Sequence, residues 1–147
     1  MFTGKFQHSL DQKNRVTIPK KFLEAISDPA ERSQFFATLG LDTCLFLFTI
    51  TQWNEIAAQV KKAAMATPGS RNFSRLFFAS ASRCDLDSAG RILIPDELRQ
   101  RAELGKDVVF VGAWDRMELW DGARWEALQQ DSAKDYTANA EEIFRRL

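Results

Sequence analysis

Two arginines stand at equivalent places in a repeated pattern and offer a chemistry that binds anions. Residues 10–19 read Leu-Asp-Gln-Lys-Asn-Arg-Val-Thr-Ile-Pro, and residues 86–95 read Leu-Asp-Ser-Ala-Gly-Arg-Ile-Leu-Ile-Pro. Arg15 and Arg91 therefore lie 76 positions apart, and the aspartates and prolines around them keep the same offset. The planar fork of a guanidinium fits phosphate oxygens or the O6/N7 edge of guanine. An internal repeat of this kind predicts two copies of one unit, each presenting an arginine from a tight turn.

The residues before each arginine predict how the turn is held. Asn14 and Gly90 precede the arginines, and both residue types tolerate a positive φ. Asp11 and Asp87 can accept hydrogen bonds from the backbone of their own turns. We therefore assign Asp11, Asp87 and Gly90 to structuring the turns. For a single turn, the alternative is an arginine that only pairs with its neighbouring aspartate, but the repetition favours a ligand.

Further cations follow the first arginine turn in the sequence. Lys13 lies within that turn, and Lys20 and Lys21 follow the strand after it, so these three lysines and Asn14 join the two arginines as candidate DNA-binding residues. The equivalent positions of the second copy hold Ala89, Asp96 and Glu97. We therefore expect the first copy to carry most of the affinity for a polyanion.

The charge distribution supports this reading although the net charge of the chain is zero. Segments 1–25 and 61–101 contain the repeated motifs and carry net charges of +3 and +4. The segments 26–60 and 102–147 carry −3 and −4. Since local field rather than net charge attracts a polyanion, one basic face is sufficient. The alternative is that blocks of this size differ by chance.

The patterning predicts the same order of elements in both copies. A strand leads into each turn, a second strand begins at each arginine, and a proline then starts a short helix. Two more strands and a closing amphipathic helix follow, with Thr51 and Asp121 as the N-caps of those helices. The strands are predicted at 5–9, 15–18, 34–39 and 44–49, and at 82–86, 91–94, 107–111 and 116–120. Between the copies, Pro68-Gly69-Ser70 is a break that precedes another helical face.

Enzyme chemistry is a poor match to these residues. His8 is the single histidine, and its neighbours Ser9 and Asp11 cannot converge with it because adjacent strand residues point to opposite faces. We predict no catalytic residue, metal site, cofactor or small-molecule substrate. Cys44 and Cys84 are isolated thiols, which favours a reducing cytoplasm. No apolar run approaches the roughly 20 residues that cross a bilayer, so we predict no membrane partner.

The aromatic residues allow two interpretations. Adjacent phenylalanines could stack on the bases of a single strand, or they could pack in the core and between subunits. Because neighbours in a strand point to both faces, we favour packing. The pairs concerned are Phe35/Phe36, Phe46/Phe48 and Phe77/Phe78.

These motifs resemble the MraZ family of bacterial transcriptional regulators. The resemblance runs from the opening Met-Phe-Thr-Gly to beyond Trp125 and includes the doubled Asp-x-x-x-Arg turn and the Glu-Leu-Trp-Asp stretch at 118–121. Asn14 departs from the glycine that is usual in the family. The resemblance implies a mainly β, α+β fold of two tandem SpoVT-AbrB-type units, at 5–52 and 81–124. Their swapped hairpins would form small β-barrels in an intrachain pseudo-dimer with flanking helices.

The resemblance also implies a function and an assembly. Members form closed homo-oligomeric rings, bind short direct repeats in the promoter of the division and cell-wall gene cluster, and control their own operon. Their DNA-contacting arginine corresponds to Arg15, with Arg91 as its counterpart. A cytoplasmic, nucleoid-associated location would follow. The alternative function is an antitoxin-like or scaffold module that binds a protein partner through the acidic tail.

Overall fold

The computed structural model describes residues 1–147 and contains two units with the same order of elements. The first unit consists of β1 (Lys5–Ser9), β2 (Arg15–Thr17), α1 (Lys20–Ala25), β3 (Gln34–Leu39), β4 (Leu45–Thr49) and α2 (Ile50–Ala63). Helix α3 (Pro68–Ala79) connects it to the second unit. That unit consists of β5 (Ser82–Asp85), β6 (Arg91–Leu93), α4 (Asp96–Arg101), β7 (Asp107–Gly112), β8 (Met117–Asp121) and α5 (Gly122–Arg145). A 3-10 turn at Pro29–Arg32 precedes β3.

The strands of the two units are exchanged within one antiparallel sheet. Its order is β1-β7-β8-β4-β3-β5, so the first strand of each unit pairs with the third strand of the other. The order reads the same when the units are interchanged, which places a pseudo-twofold axis between β4 and β8. A separate antiparallel ribbon of β2 and β6 also joins one strand from each unit. The predicted intrachain pseudo-dimer with swapped hairpins is confirmed.

Both units contribute to one hydrophobic core of 20 buried residues. In the ribbon, Val16 lies opposite Ile92, and both side chains are buried together with Ile18 and Ile94. These residues share the inner face, as the alternation predicts. Thr17 and Leu93 point outward and are exposed together with one side of each arginine. The strands therefore build the core and the helices flank it, which confirms the α+β class.

Of the two helix N-caps predicted from the sequence, the structure confirms one and corrects the other. Asp121 caps α5 as predicted, because its side chain accepts a hydrogen bond from the N–H of Arg124. For α2, the prediction of Thr51 was wrong, since the N-cap is Thr49. Thr49 Oγ1 accepts from the N–H of Gln52, and the side chain of Gln52 accepts from the N–H of Thr49. This reciprocal capping box satisfies two N–H groups that Thr51 would leave unpaired.

The aromatic residues pack within the fold as expected. Phe35 is fully buried in the main core. A second cluster covers the other side of the sheet, where Trp53 of α2 stacks on Phe36 at 4.8 Å between ring centroids and on Phe77 of α3 at 5.5 Å. Helix α3 thus closes the outer face of the first unit. None of the helices combines the length and the apolar character that a membrane span requires.

Candidate nucleic-acid interface

The first arginine turn is held by its aspartate. Asp11 Oδ1 accepts hydrogen bonds from the backbone N–H groups of Lys13 and Arg15, both at 2.9 Å. Asp11 Oδ2 accepts a third from Arg15 Nε at 2.8 Å. Asn14 adopts φ 59°, in the left-handed region that asparagine tolerates. One carboxylate therefore fixes both the backbone of the turn and the direction of the arginine.

The second turn repeats this geometry. Asp87 Oδ1 accepts from the N–H groups of Ala89 and Arg91 at 2.9 Å, and Asp87 Oδ2 accepts from Arg91 Nε at 2.9 Å. Gly90 adopts φ 80° at the position of Asn14. An added Cβ at Gly90 would meet no atom within 4 Å, so only the positive φ favours glycine there. This explains why asparagine can replace it in the first copy.

The hydrogen bonds of the turns stabilise the charged form of each aspartate. The backbone N–H of Arg15 is the main cause that lowers the pKa of Asp11, and burial opposes it in part. The backbone N–H of Arg91 lowers the pKa of Asp87 in the same way. A carboxylate that accepts several N–H groups holds its charge to lower pH. Both turns are therefore fully formed at neutral pH.

Each arginine is paired with its aspartate but remains partly open to solvent. The side chains of Arg15 and Arg91 are 30% and 33% exposed. The pairing uses Nε, and the Nη atoms of Arg15 make no hydrogen bond within the chain. The alternative of a simple ion pair is thus correct for one edge of the guanidinium only. The Nη edge of Arg15 is directed by this pairing and has no hydrogen-bond partner within the chain.

The ribbon places both arginines on one surface. Arg15 lies opposite Leu93 and Thr17 lies opposite Arg91, so the two arginines are diagonal neighbours on the outer face. Arg91 Nη1 lies 4.0 Å from Asp11 Oδ2, which links the two turns directly. Two guanidiniums and two carboxylates form this cluster, and their formal charges cancel. A positive potential at the ribbon therefore depends on the lysines around it.

The structure groups these lysines differently from the sequence-based expectation. Because β2 and β6 are antiparallel, the N–H of Ile18 donates to the carbonyl of Gly90 at 3.0 Å. The start of α1, with Lys20 and Lys21, therefore lies beside the second turn rather than the first. Equivalently, the N–H of Ile94 donates to the carbonyl of Asn14 at 2.9 Å.

The exchange also brings acidic residues to the first turn. The start of α4 lies beside that turn, and Asn14 Nδ2 is 3.5 Å from Asp96 Oδ1. Lys13 remains as the exposed cation of the first turn, whereas Lys20 and Lys21 are exposed near Arg91. Both turns thus have basic neighbours, and the expected contrast between a basic and an acidic copy is reduced. The sequence did not indicate this arrangement of charges, because along the chain each helix follows the arginine of its own repeat.

The remaining reactive side chains are used in packing. His8 lies in β1 with its ring 5.9 Å from that of Phe110, and burial lowers its pKa. Burial raises the pKa of Cys44 to about 12 and that of Cys84 to about 11. No group of three or more His, Cys, Asp and Glu side chains is arranged to hold a metal ion.

Comparison with known proteins gives the same family for both halves of the chain. A family described as "MraZ protein, putative antitoxin-like" matches residues 1–76 and again residues 77–147. The transcriptional regulator MraZ of Natranaerobius thermophilus is 40% identical over 143 residues, which are 97% of this chain and 96% of that protein. Proteins of the same name from Symbiobacterium thermophilum and Pediococcus pentosaceus are each 39% identical, over 95% and 98% of this chain and 98% and 97% of their own lengths. The resemblance drawn from the two arginine turns is therefore confirmed, and the chain belongs to the MraZ family.

Proposed function

We propose that this chain is a transcriptional regulator that binds double-stranded DNA through the outer face of the β2–β6 ribbon. The observation that carries the proposal is the pair of aspartate-braced arginines on one surface of that ribbon. A braced side chain loses little conformational entropy on binding, so more of its interaction energy contributes to affinity. The relatives compared above bear the name transcriptional regulator, which agrees with this activity.

The roles of the site residues follow from their positions. Arg15 contacts DNA together with Lys13 and Asn14 of its own turn. Arg91 contacts DNA beside Lys20 and Lys21, which reach that turn from the other unit. Asp11, Asp87 and Gly90 maintain the backbone conformation of the two turns. The domain units that present these turns are 5–52 and 81–124.

The assembly and the target are further parts of the proposal. The charge cluster on the ribbon is formally neutral, so one chain would bind DNA weakly. A closed homo-oligomeric ring whose turns meet evenly spaced direct repeats would raise the affinity by roughly 10²–10⁴. Family membership supports a target in the promoter of the division and cell-wall gene cluster, control of the chain's own operon, and a cytoplasmic, nucleoid-associated location.

Fluorescence anisotropy with duplex DNA from upstream of the chain's own gene tests this function. Arg15→Ala is expected to weaken binding by about 1–3 kcal/mol, because the variant lacks the directed guanidinium. Replacement of Lys20 and Lys21 by alanine is expected to weaken binding to specific and unrelated DNA alike. It should also reduce the slope of log affinity against log salt by about 0.9 for each phosphate that is no longer neutralised. Arg83→Ala, an exposed arginine on β5, is the matched control and leaves affinity unchanged.

Two outcomes would contradict the proposal. Wild-type affinity in a variant that lacks both Arg15 and Arg91, with its assembly intact, would remove the ribbon as the DNA-binding surface. Absence of sequence-specific binding to that DNA would instead favour the alternative function, an antitoxin-like or scaffold module with a protein partner.

A further inference from the structure

One apolar side chain stands among the polar groups on the outer face of the β2–β6 ribbon. Leu93 is 57% exposed, whereas its neighbours Ile92 and Ile94 are buried in the core. Because side chains of a strand alternate between its faces, Leu93 points outward on the same side as Arg91. A leucine exposed elsewhere would need no explanation, since single apolar side chains are common on protein surfaces. This leucine lies on the surface proposed to contact DNA.

The register of the ribbon places Leu93 directly opposite Arg15. The N–H of Ile94 donates to the carbonyl of Asn14 at 2.9 Å, which makes these two residues a hydrogen-bonded pair. Because pair types alternate along an antiparallel ladder, Arg15 and Leu93 form a non-hydrogen-bonded pair, in which the Cα atoms are about 4.5 Å apart and the side chains are closest. Leu93 therefore lies beside the stem of Arg15, and both side chains face the same stretch of a bound duplex.

The major groove of DNA offers one apolar partner for such a side chain. It admits a two-stranded β-ribbon, and every base pair presents hydrogen-bond donors and acceptors there, but only thymine adds a C5 methyl group. A leucine that faced phosphates or polar base edges would separate those groups from water without replacing their hydrogen bonds. The apolar contact of Leu93 is therefore favourable at a thymine, next to the base or phosphate that the unpaired Nη atoms of Arg15 can reach.

We propose that Leu93 contacts the C5 methyl group of a thymine in the bound DNA and is a specificity-determining residue of the ribbon. The inference rests on the proposed binding of DNA through that surface, and it names the base that one side chain of the surface recognises. The contact is apolar, so it distinguishes thymine from bases without a methyl group and contributes little to binding of unrelated DNA.

The equivalent position of the first repeat has a different chemistry. Thr17 lies opposite Arg91 as Leu93 lies opposite Arg15, and Thr17 and Leu93 are 76 positions apart in the sequence. A threonine hydroxyl forms hydrogen bonds with several bases and discriminates less among them. The pseudo-twofold axis thus relates two arginines but exchanges a leucine with a threonine. Recognition of thymine is therefore confined to the side of Arg15, which gives the chain a direction on the duplex.

A contact with another protein is the other use of an exposed leucine, and the surroundings of Leu93 do not favour it. The outer face of the ribbon consists of Arg15, Thr17, Arg91 and Leu93, so Leu93 is its only apolar side chain. The surfaces that bind proteins usually present a contiguous apolar patch. An isolated leucine between guanidiniums fits a single methyl group better than it fits such an interface.

Replacement of thymine by deoxyuridine in duplex DNA from upstream of the chain's own gene tests the contact. Uracil pairs with adenine and offers the same hydrogen-bonding groups as thymine, but it lacks the methyl group. Fluorescence anisotropy is measured with a set of duplexes, each with uracil at a different thymine position of the site. At one position, the wild type is expected to bind about fourfold more weakly for each chain that contacts it, which corresponds to one buried methyl-sized group.

Three variants separate this contact from other effects. Leu93→Ala is expected to bind the thymine and uracil duplexes equally, with about the affinity of the wild type for the uracil duplex. Thr17→Ala, on the same face, is expected to keep the fourfold discrimination. Leu41→Ala is the matched control, because Leu41 is 60% exposed but lies in the turn between β3 and β4, and it should also keep the discrimination. Light scattering checks that all three variants retain the wild-type mass.

Several results would overturn the inference. If the wild type binds all uracil duplexes as tightly as the thymine duplex, while Arg15→Ala still weakens binding, Leu93 does not read a methyl group and the proposed function stands. Discrimination that persists in Leu93→Ala would assign the methyl contact to another side chain. A lower mass of Leu93→Ala, with affinity for both duplexes reduced alike, would show a contact between copies instead. A wild type that does not bind this DNA would refute the proposed function and the inference together.

Discussion

Replacing Ile92 by alanine tests whether the two repeats fold as one cooperative unit. Ile92 is fully buried and lies opposite Val16 of the other repeat, within the shared core of 20 residues. The change removes three carbon atoms at about 0.8 kcal/mol each and leaves a cavity. We expect a loss of about 3 kcal/mol in the free energy of unfolding. For a chain of this size, that lowers Tm by about 6–12 °C.

Differential scanning calorimetry at a fixed protomer concentration measures this effect, since assembly makes Tm depend on concentration. Leu93→Ala is the matched control, because Leu93 is the next residue of the same strand and is 57% exposed. This substitution should change the free energy of unfolding by no more than about 0.5 kcal/mol.

The shape of the transition is as informative as its midpoint. Ile92 belongs to the second repeat by sequence, but its contacts are divided between both. A single transition that shifts as a whole is therefore expected. Two separate transitions, with the first repeat unfolding at the wild-type temperature, would refute the shared core. A decrease in the free energy of unfolding as small as that of Leu93→Ala would refute it as well.

Three further predictions concern the turns, the thiols and one close backbone contact. Because the folded pKa values of Asp11 and Asp87 are lowered, the stability that these carboxylates contribute is present above pH 3.8 and is lost as pH falls further. In an acid titration, the free energy of unfolding of the double asparagine variant should therefore decline less steeply than that of the wild type, and an equally steep decline would contradict this. Cys44 and Cys84, whose pKa values are raised to about 12 and about 11, should resist iodoacetamide at pH 8 until denaturant is added; rapid labelling of the folded protein would contradict their burial. Gly112→Ala should destabilise by about 1–3 kcal/mol in urea titrations, because its Cβ would lie 2.5 Å from the backbone of the N-terminal segment; a neutral effect would show that this segment moves freely.

Local features of the fold were predictable because their causes act over a few residues. The Asp-x-x-Asn/Gly-Arg spacing contains the acceptor, the residue with positive φ and the arginine that it directs. Asp11 and Asp87 accordingly make the same three hydrogen bonds in the structure. The N-cap of α2 was misassigned for an equally local reason. Thr49 and Thr51 both lie near the start of α2, and the reciprocal hydrogen bonds with Gln52 select Thr49 as the N-cap.

The sequence by itself determined that there are two similar units, where their strands and helices lie, and that each presents an arginine from a rigid turn. Only the tertiary structure decided which strands pair, because burial of both halves in one core selects partners far apart in the chain. That exchange places Lys20 and Lys21 beside the turn of Arg91, and Asp96 beside Asn14. The charge around each arginine is therefore a property of the folded pair, since the neighbours that set it come from the other repeat.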